Sequence, residues 1–363
     1  MDYLLIAVLV VASSYFLYRY CRNRKIINLI LFTFIIVLFC AGREVIPNIQ
    51  NSDAYYYSQF FERAHGCSFK NYMIQMGGRE FIFYGSFWLC ARIGLSYTIV
   101  RIIYYLVMLA FLLKFLKEIN PSYIRYSDTW FIITNFILSY CLMRNTLAYV
   151  IGWVAIVLCG KKKYVQAFLY GIVGTLVHST CIIIFAFILF MIVTSFIRKF
   201  KFMVITIVFC YAMVWLIFPK LLVYLGETND KVSYYLDIST SGSFALSTNL
   251  SRIIILLILI LLYSPKERFW KDLEYRTTML VVLFSFSVVF AQLINGVAYR
   301  FLAYFNVINI MAFTYIRSHE SDRRVVIGKI ECKYIIILGI NLLWFILFLL
   351  RDLKGYGLIP VFL

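Results

Sequence analysis

Side chains able to do chemistry are scarce in this sequence, and they stand far apart. Arg144, His178 and Arg300 each lie in or at the edge of an apolar run. Arg43, Asp53, Arg79 and Glu80 fall in a polar stretch, Arg43–Glu80, set between two long apolar runs. An arginine offers a planar fork of N–H donors that matches a phosphate or diphosphate. A histidine titrates near neutral pH and serves as a base or as a hydrogen-bond donor. A carboxylate can act as a base or accept from sugar hydroxyls. Together these types suit a substrate that carries phosphate and hydroxyl groups.

Each residue also has a plainer explanation. Arg144 occurs in Leu142-Met143-Arg144-Asn145-Thr146-Leu147-Ala148, at the expected outer end of two consecutive runs. On a helix the small Ala148 shares its face and leaves room beside the guanidinium, but an arginine reaching lipid phosphate fits the same place. Arg300 has Tyr304 one turn on, with the same alternative. Two outer-end arginines make a common anion site more attractive than either does alone. His178, in Leu176-Val177-His178-Ser179-Thr180, sits at an outward turn and equally suits a satisfied packing residue.

Asp53 heads Asn51-Ser52-Asp53-Ala54-Tyr55-Tyr56-Tyr57-Ser58-Gln59-Phe60-Phe61 and is a fair N-cap. Tyr57, Phe60 and Phe61 form the aromatic stripe of an interfacial helix, where a tyrosine stacks on a sugar or anchors in the headgroups. Arg79-Glu80 reads as a local ion pair, with Glu80 the stretch's other candidate carboxylate.

The elements that must position these groups are written for lipid. The 363 residues are 63% hydrophobic and 14% charged, against roughly half apolar and a quarter charged in a soluble domain. Apolar runs fall at 2–18, 26–42, 81–97, 98–116, 129–143, 145–160, 164–178, 180–197, 202–218, 251–263, 277–294, 298–316 and 333–350. Basic connectors at Arg19–Lys25, Lys161–Lys163, Arg198–Lys201, Lys266–Arg276 and Arg317–Lys333 mark the cytoplasmic side. Four runs then separate the outer stretch from Lys161, where an odd number is needed. The run 81–97, interrupted by Arg92 and Gly94, is the one expected not to cross.

The expectation is an all-α polytopic membrane protein with about twelve crossings (roughly 10–14) plus outer-face in-plane or re-entrant helices. Residues 1–363 form a single integral membrane domain, with outer-face loops at 43–80 (extending to about 97) and 219–250. The second loop is rich in Ser, Thr, Asn and Tyr and suits a sugar-facing lid or a plain solvated loop. The N-terminus, Met1-Asp2 with no basic lead, reads as a first span rather than a cleaved signal.

The net charge of +18 is explained by topology and anionic lipid. No recognition helix, zinc finger or aromatic-basic pattern points to nucleic acid. Nine cysteines show no CxxC spacing and no disulfide framework. No Walker loop, GxSxG, HExxH or DxD occurs. No cofactor or metal is expected.

In order along the chain stand Arg43, Asp53-x-x-x-Tyr57, Glu80, Leu142-x-Arg144-Asn145-x-Leu147-Ala148, His178-Ser179 and Arg300-x-x-x-Tyr304. This order resembles the EpsG-type, Wzy-like polysaccharide polymerases of bacteria, from about residue 40 to 310. The Gly-Thr/Ser-Asp common there is Asn51-Ser52-Asp53 here, and the frequent Arg-Gln is Arg144-Asn145.

The resemblance implies a metal-independent glycosyltransferase on the outer face of the bacterial cytoplasmic (inner) membrane. Its donor and acceptor are undecaprenyl-diphosphate-linked oligosaccharides, joined into capsule, exopolysaccharide or O-antigen. Membrane lipids, a chain-length regulator and a flippase are the expected partners. In that frame Arg144 and Arg300 hold the diphosphate, with Arg43 and Arg79 as second-rank candidates. His178 or Asp53 assists the acceptor, and Glu80 is a further catalytic candidate. Tyr57, Tyr304 and Asn145 are the expected glycan contacts. Inversion at the anomeric carbon is expected because no covalent nucleophile stands out. A flippase for the same lipid-linked glycan and a glycan O-acyltransferase are the competing readings.

Overall fold

In the computed structural model the described residues are 2–42, 53–119, 121–197, 273–294, 299–318, 326–327 and 330–347, with single positions 205, 216 and 254. Arg43, the whole 219–250 loop and, apart from those single positions, the runs 202–218 and 251–263 lie outside the described residues. The described chain is almost entirely helical, as expected. The exception is a pair of two-residue strands, β1 (Val326–Ile327) and β2 (Ile330–Glu331), paired antiparallel.

The chain forms two compact units. The first comprises Met1–Val154, Leu169–Cys181 and Val325–Leu363, and the second Ala155–Phe168 and Ile182–Arg324.

The first unit opens with α1 (Asp2–Asn23) and α2 (Ile26–Ala41), packed on each other across a turn in which Arg24 takes φ 55°. α2 also packs on α6 (Tyr97–Glu118). Ser96 caps α6 by accepting from the Ile99 N–H at 3.4 Å. At about 1.5 Å per residue, the 22 residues of α6 match a hydrocarbon core of about 30 Å. Arg101, an ionisable residue buried within α6, donates to the Cys40 carbonyl in the last turn of α2. It satisfies a carbonyl that the helix end leaves over.

Between α2 and α6 lie three short helices, α3 (Ala54–Gly66), α4 (Phe69–Gln75) and α5 (Phe81–Arg92). α3 buries Ala54, Tyr57, Phe61 and Ala64, at helical spacing, and packs on α5. α5 is pinned to α6, with the Tyr104 hydroxyl donating to the Phe83 carbonyl at 3.2 Å and lying 2.6 Å from Ser86 Oγ. The Trp88 indole and the Arg92 guanidinium both donate to the Cys67 carbonyl, at 3.0 and 2.6 Å, which ties α5 back to the α3–α4 turn. Twelve residues rise only about 18 Å.

The runs 129–143 and 145–160 are joined in one helix, α7 (Tyr126–Gly160), broken at Leu142 where the backbone leaves helical geometry (φ −122°, ψ 41°). Arg144 therefore lies two residues past the kink at which two helical segments meet, beside the boundary read between the two runs. α8 (Tyr164–Val177) ends at His178, and a 3-10 turn (Ser179–Ile182) leads into α9 (Ile183–Ser195). In the second unit α10 (Leu273–Ile294) packs on α11 (Tyr299–Phe305) and α12 (Ile308–Ser318), so the run 298–316 is two helices rather than one. α13 (Cys332–Leu347) belongs to the first unit.

Among the described residues, three helical segments are long and apolar enough to cross a membrane: Leu5–Asn23, Tyr97–Glu118 and Leu142–Gly160. Four shorter apolar segments accompany them: Ile26–Ala41, Tyr164–Val177, Ser179–Ser195 and Tyr334–Ile346.

Candidate functional site

Glu80 is where the sequence candidates meet. It follows a reversal in which Gly77 and Gly78 both take positive φ (78° and 64°), and it adopts the left-handed conformation itself (φ 56°, ψ 48°). That conformation costs a non-glycine residue roughly 1–3 kcal/mol and persists where the surroundings over-determine it. What holds it here is the carboxylate. Glu80 Oε2 accepts from Arg144 Nη1 at 2.5 Å, and Oε1 lies 2.6 Å from His178 Nδ1. The Ser179 N–H and hydroxyl add longer bonds to Oε1, at 3.3 and 3.4 Å. The partners of Glu80 are thus Arg144 and His178 rather than the adjacent Arg79, which is exposed.

Arg144 sits in an aromatic box. Its guanidinium carbon is 5.8 Å from the ring centres of Tyr57 and Phe83 and 5.9 Å from that of Tyr84. Nη1 also donates to the Tyr84 hydroxyl at 2.8 Å, while Nε is buried with no hydrogen-bond partner. The rings shield the charge from water and favour it through their negative faces. Ala148, one turn on, is fully buried.

His178 is placed by the corner between α8 and the 3-10 turn. Its N–H donates to the Gly174 carbonyl at 2.8 Å, and its own carbonyl accepts from the Cys181 N–H at 2.9 Å. The fold-back needs glycine at 174, because a Cβ there would lie 2.4 Å from Cys181 Sγ and 3.3 Å from Ile151 on α7. This close approach brings the histidine ring to Glu80, 5% exposed.

The electrostatics follow from this packing. Burial pushes the Glu80 carboxyl up, but the hydrogen bond from His178 and the charge of Arg144 outweigh it and hold the group at about 2. Glu80 is therefore ionised at neutral pH and a poor base. Burial pushes the Tyr57 phenol well above its usual value, so it stays a protonated donor. It donates to Asp53 Oδ2 at 3.1 Å. Asp53 makes no side-chain cap bond to α3, so capping does not account for it.

Of the other candidates, Tyr57 is 1% exposed and faces Arg144, not a surface open to a sugar ring. Asn145 is buried and its Oδ1 has no hydrogen-bond partner. Arg300 opens α11 and Tyr304 is fully buried, both in the second unit, whereas the cluster around Glu80 is built wholly in the first. Sequence reasoning missed Tyr84 as a member and gave Ser179 no role beyond its place in the motif His178-Ser179. Tyr84 stands four residues after Glu80, one helical turn on, which was the available signal. Among the described residues, no three His, Cys, Asp or Glu side chains gather where a cation would need them.

Glu80, Arg144 and His178 all belong to the motif order given above, which does not say that they meet. A model of the EpsG family matches residues 27–361. The chain belongs to the EpsG family. No curated protein and no solved structure matches it. EpsG-family membership, together with the apolar helices, makes this a membrane protein and agrees with polysaccharide polymerisation as its class of activity.

Proposed function

We propose that the chain is an inverting, metal-independent glycosyltransferase that polymerises undecaprenyl-diphosphate-linked oligosaccharide repeats on the outer face of the bacterial cytoplasmic membrane. The observation that carries this reading is the convergence of Arg144 and His178 on one carboxylate, from positions 64 and 98 residues away in the chain. About twelve crossings, with the 43–80 and 219–250 loops outside and α5 not crossing, place that cluster on the outer side.

The chemistry is a substitution at the anomeric carbon. A hydroxyl of the acceptor repeat gives its proton to the imidazole of His178 as its oxygen bonds to that carbon. The bond from the carbon to the lipid diphosphate breaks, and the diphosphate leaves with the electron pair. Arg144 stands where that negative charge develops: Nη1 serves Glu80 and Tyr84, and Nε and Nη2 carry three further N–H donors. Losing one such donor typically costs on the order of 2–4 kcal/mol of barrier. With its carboxyl at about 2, Glu80 is not the base. Asp53 orients Tyr57 against the arginine. A chain-length regulator and a flippase are the partners this reading calls for.

The test is direct. Purified protein in detergent is given lipid-linked repeats, and the products are sized on a gel. A ladder that grows with time is expected. Translocation of the lipid-linked repeat in vesicles with no ladder would sink the polymerase.

A further inference from the structure

His178 Nδ1 lies 2.6 Å from Glu80 Oε1, and Glu80 is an ionised carboxylate, which has no proton to donate. The proton between them therefore belongs to the imidazole Nδ1. In the neutral ring this leaves Nε2 as the accepting nitrogen. A free imidazole prefers the opposite tautomer, so the protein selects the minor form.

The selection is built into the fold. The carboxylate is aimed by a left-handed residue behind two glycines of positive φ. Its second oxygen is tied to Arg144 on α7, and Ser179 donates from the 3-10 turn that carries the histidine. A side chain held on both oxygens cannot rotate away from the ring.

We propose that Glu80 is a positioning residue, which holds His178 in the Nδ1–H tautomer so that Nε2 receives the acceptor's proton. The use of Nε2 as base rests on the polymerase reading given above; the tautomer does not. Among the described residues, the charged and titratable groups that the hydrogen bonds and ring contacts place around the pair include Arg144 on α7, Tyr84 on α5, and Tyr57 with Asp53 at the start of α3. The negative Glu80 raises the proton affinity of the ring, and Arg144 moderates it.

The protein has three histidines, His65, His178 and His319, so the full chain labelled with nitrogen-15 in its histidine rings gives a readable spectrum. His178→Gln identifies the signals of position 178. The neutral ring of His178 is expected to carry its proton on Nδ1. Glu80→Gln retains a carbonyl acceptor and the side-chain volume, so the tautomer is expected to persist. Its titration midpoint should fall by about one to two pH units as the neighbouring charge is lost. Glu80→Ala should return the ring to Nε2–H.

In the polymerisation assay Glu80→Ala is expected to lower kcat by about 10²–10⁴ with KM nearly unchanged, the range for acid–base assistance. The acid limb of the Glu80→Gln profile should move to lower pH together with the ring's midpoint.

A native ring protonated on Nε2 overturns the proposal, as does a Glu80→Gln midpoint that stays or rises. The second result can be read even where Glu80→Ala does not fold. The spectra need no substrate, so the two readings fail separately. The expected tautomer and midpoint shift with no ladder would sink the polymerase alone. A ladder from a protein with the opposite tautomer would sink the positioning role alone.

Discussion

Glu80, whose side chain is largely buried, and the buried Asp128 are both carboxylates of the first unit, and the partners described for them differ in kind. Asp128, 1% exposed in the first turn of α7, accepts from the Arg125 N–H at 2.8 Å and from the Asn341 side-chain amide at 2.9 Å. These donors are neutral, and the charge sits at the positive end of a helix. Asn341 donates to Ser127 as well, at 3.1 Å, so this acid fastens α13 to the start of α7. Glu80 instead bridges an arginine and a histidine from distant segments, on a left-handed backbone. An acid met by neutral amides at a helix start is explained by architecture. An acid that gathers an arginine and a titratable ring, at a cost in backbone strain, asks for a functional account.

Arg101, which is buried, and Arg144, which is partly buried, repeat the contrast. Arg101 donates to the carbonyl of Cys40 at the end of α2. Arg144 meets a carboxylate, a phenol and three aromatic rings, and keeps Nε unpartnered.

The largest expected effect is at Arg144. Arg144→Ala leaves Glu80 without its cation, which typically destabilises by about 3–5 kcal/mol, and removes the charge proposed for the leaving diphosphate. A lowered unfolding midpoint and a loss of chain growth of at least about 10² per folded molecule are expected. Full activity per folded molecule would erase the distinction from Arg101.

Next comes acid stability. Against burial, the folded Glu80 carboxyl is held at about 2, below the ordinary 4.5, by the His178 hydrogen bond and the charge of Arg144. A depressed carboxyl contributes stability above the unfolded value, and that contribution is lost as pH falls through the folded one. About 3 kcal/mol should disappear between pH 4.5 and pH 2. Unfolding of the native protein and of Glu80→Gln, followed across that window, should converge. Parallel curves would mean that the cluster does not hold the carboxylate.

Asp128→Ala tests the architectural side of the comparison. Loss of the cap and of the Asn341 contact should cost about 2 kcal/mol of stability, while kcat per folded molecule stays unchanged. A fall in kcat at full occupancy of the folded state would break the contrast from that side. The smallest effect is at Tyr84→Phe, which removes one acceptor from Arg144 and keeps the ring of the box. A loss of about 1 kcal/mol and a few-fold decrease in rate are expected, read from the same gel ladder.

Much of the frame was legible before any coordinates. Runs of apolar residues can only be helices when they lie in lipid, because each backbone group must find its partner within its own segment. The all-helical class follows from that, and the end of α5 at Arg92 follows from the Arg92 and Gly94 that interrupt the run 81–97. The break at Leu142 falls beside the boundary read between the runs 129–143 and 145–160, although no proline or glycine marks it. The division of 298–316 into α11 and α12 was hidden, because no proline or glycine interrupts that run.

The short list of polar candidates came from the sequence by itself, since an ionisable residue in an apolar run is costly and conspicuous. So did the motif order that resembled the family. Which candidates meet was decided only by the tertiary structure. Arg79 is the chain neighbour of Glu80, yet the carboxylate turns to Arg144 and His178, because a left-handed turn aims it there and Gly174 lets the histidine corner close against α7. Types and order are local properties of a chain. A carboxylate shared across 64 and 98 residues depends on the packing of helices whose contacts no local pattern records.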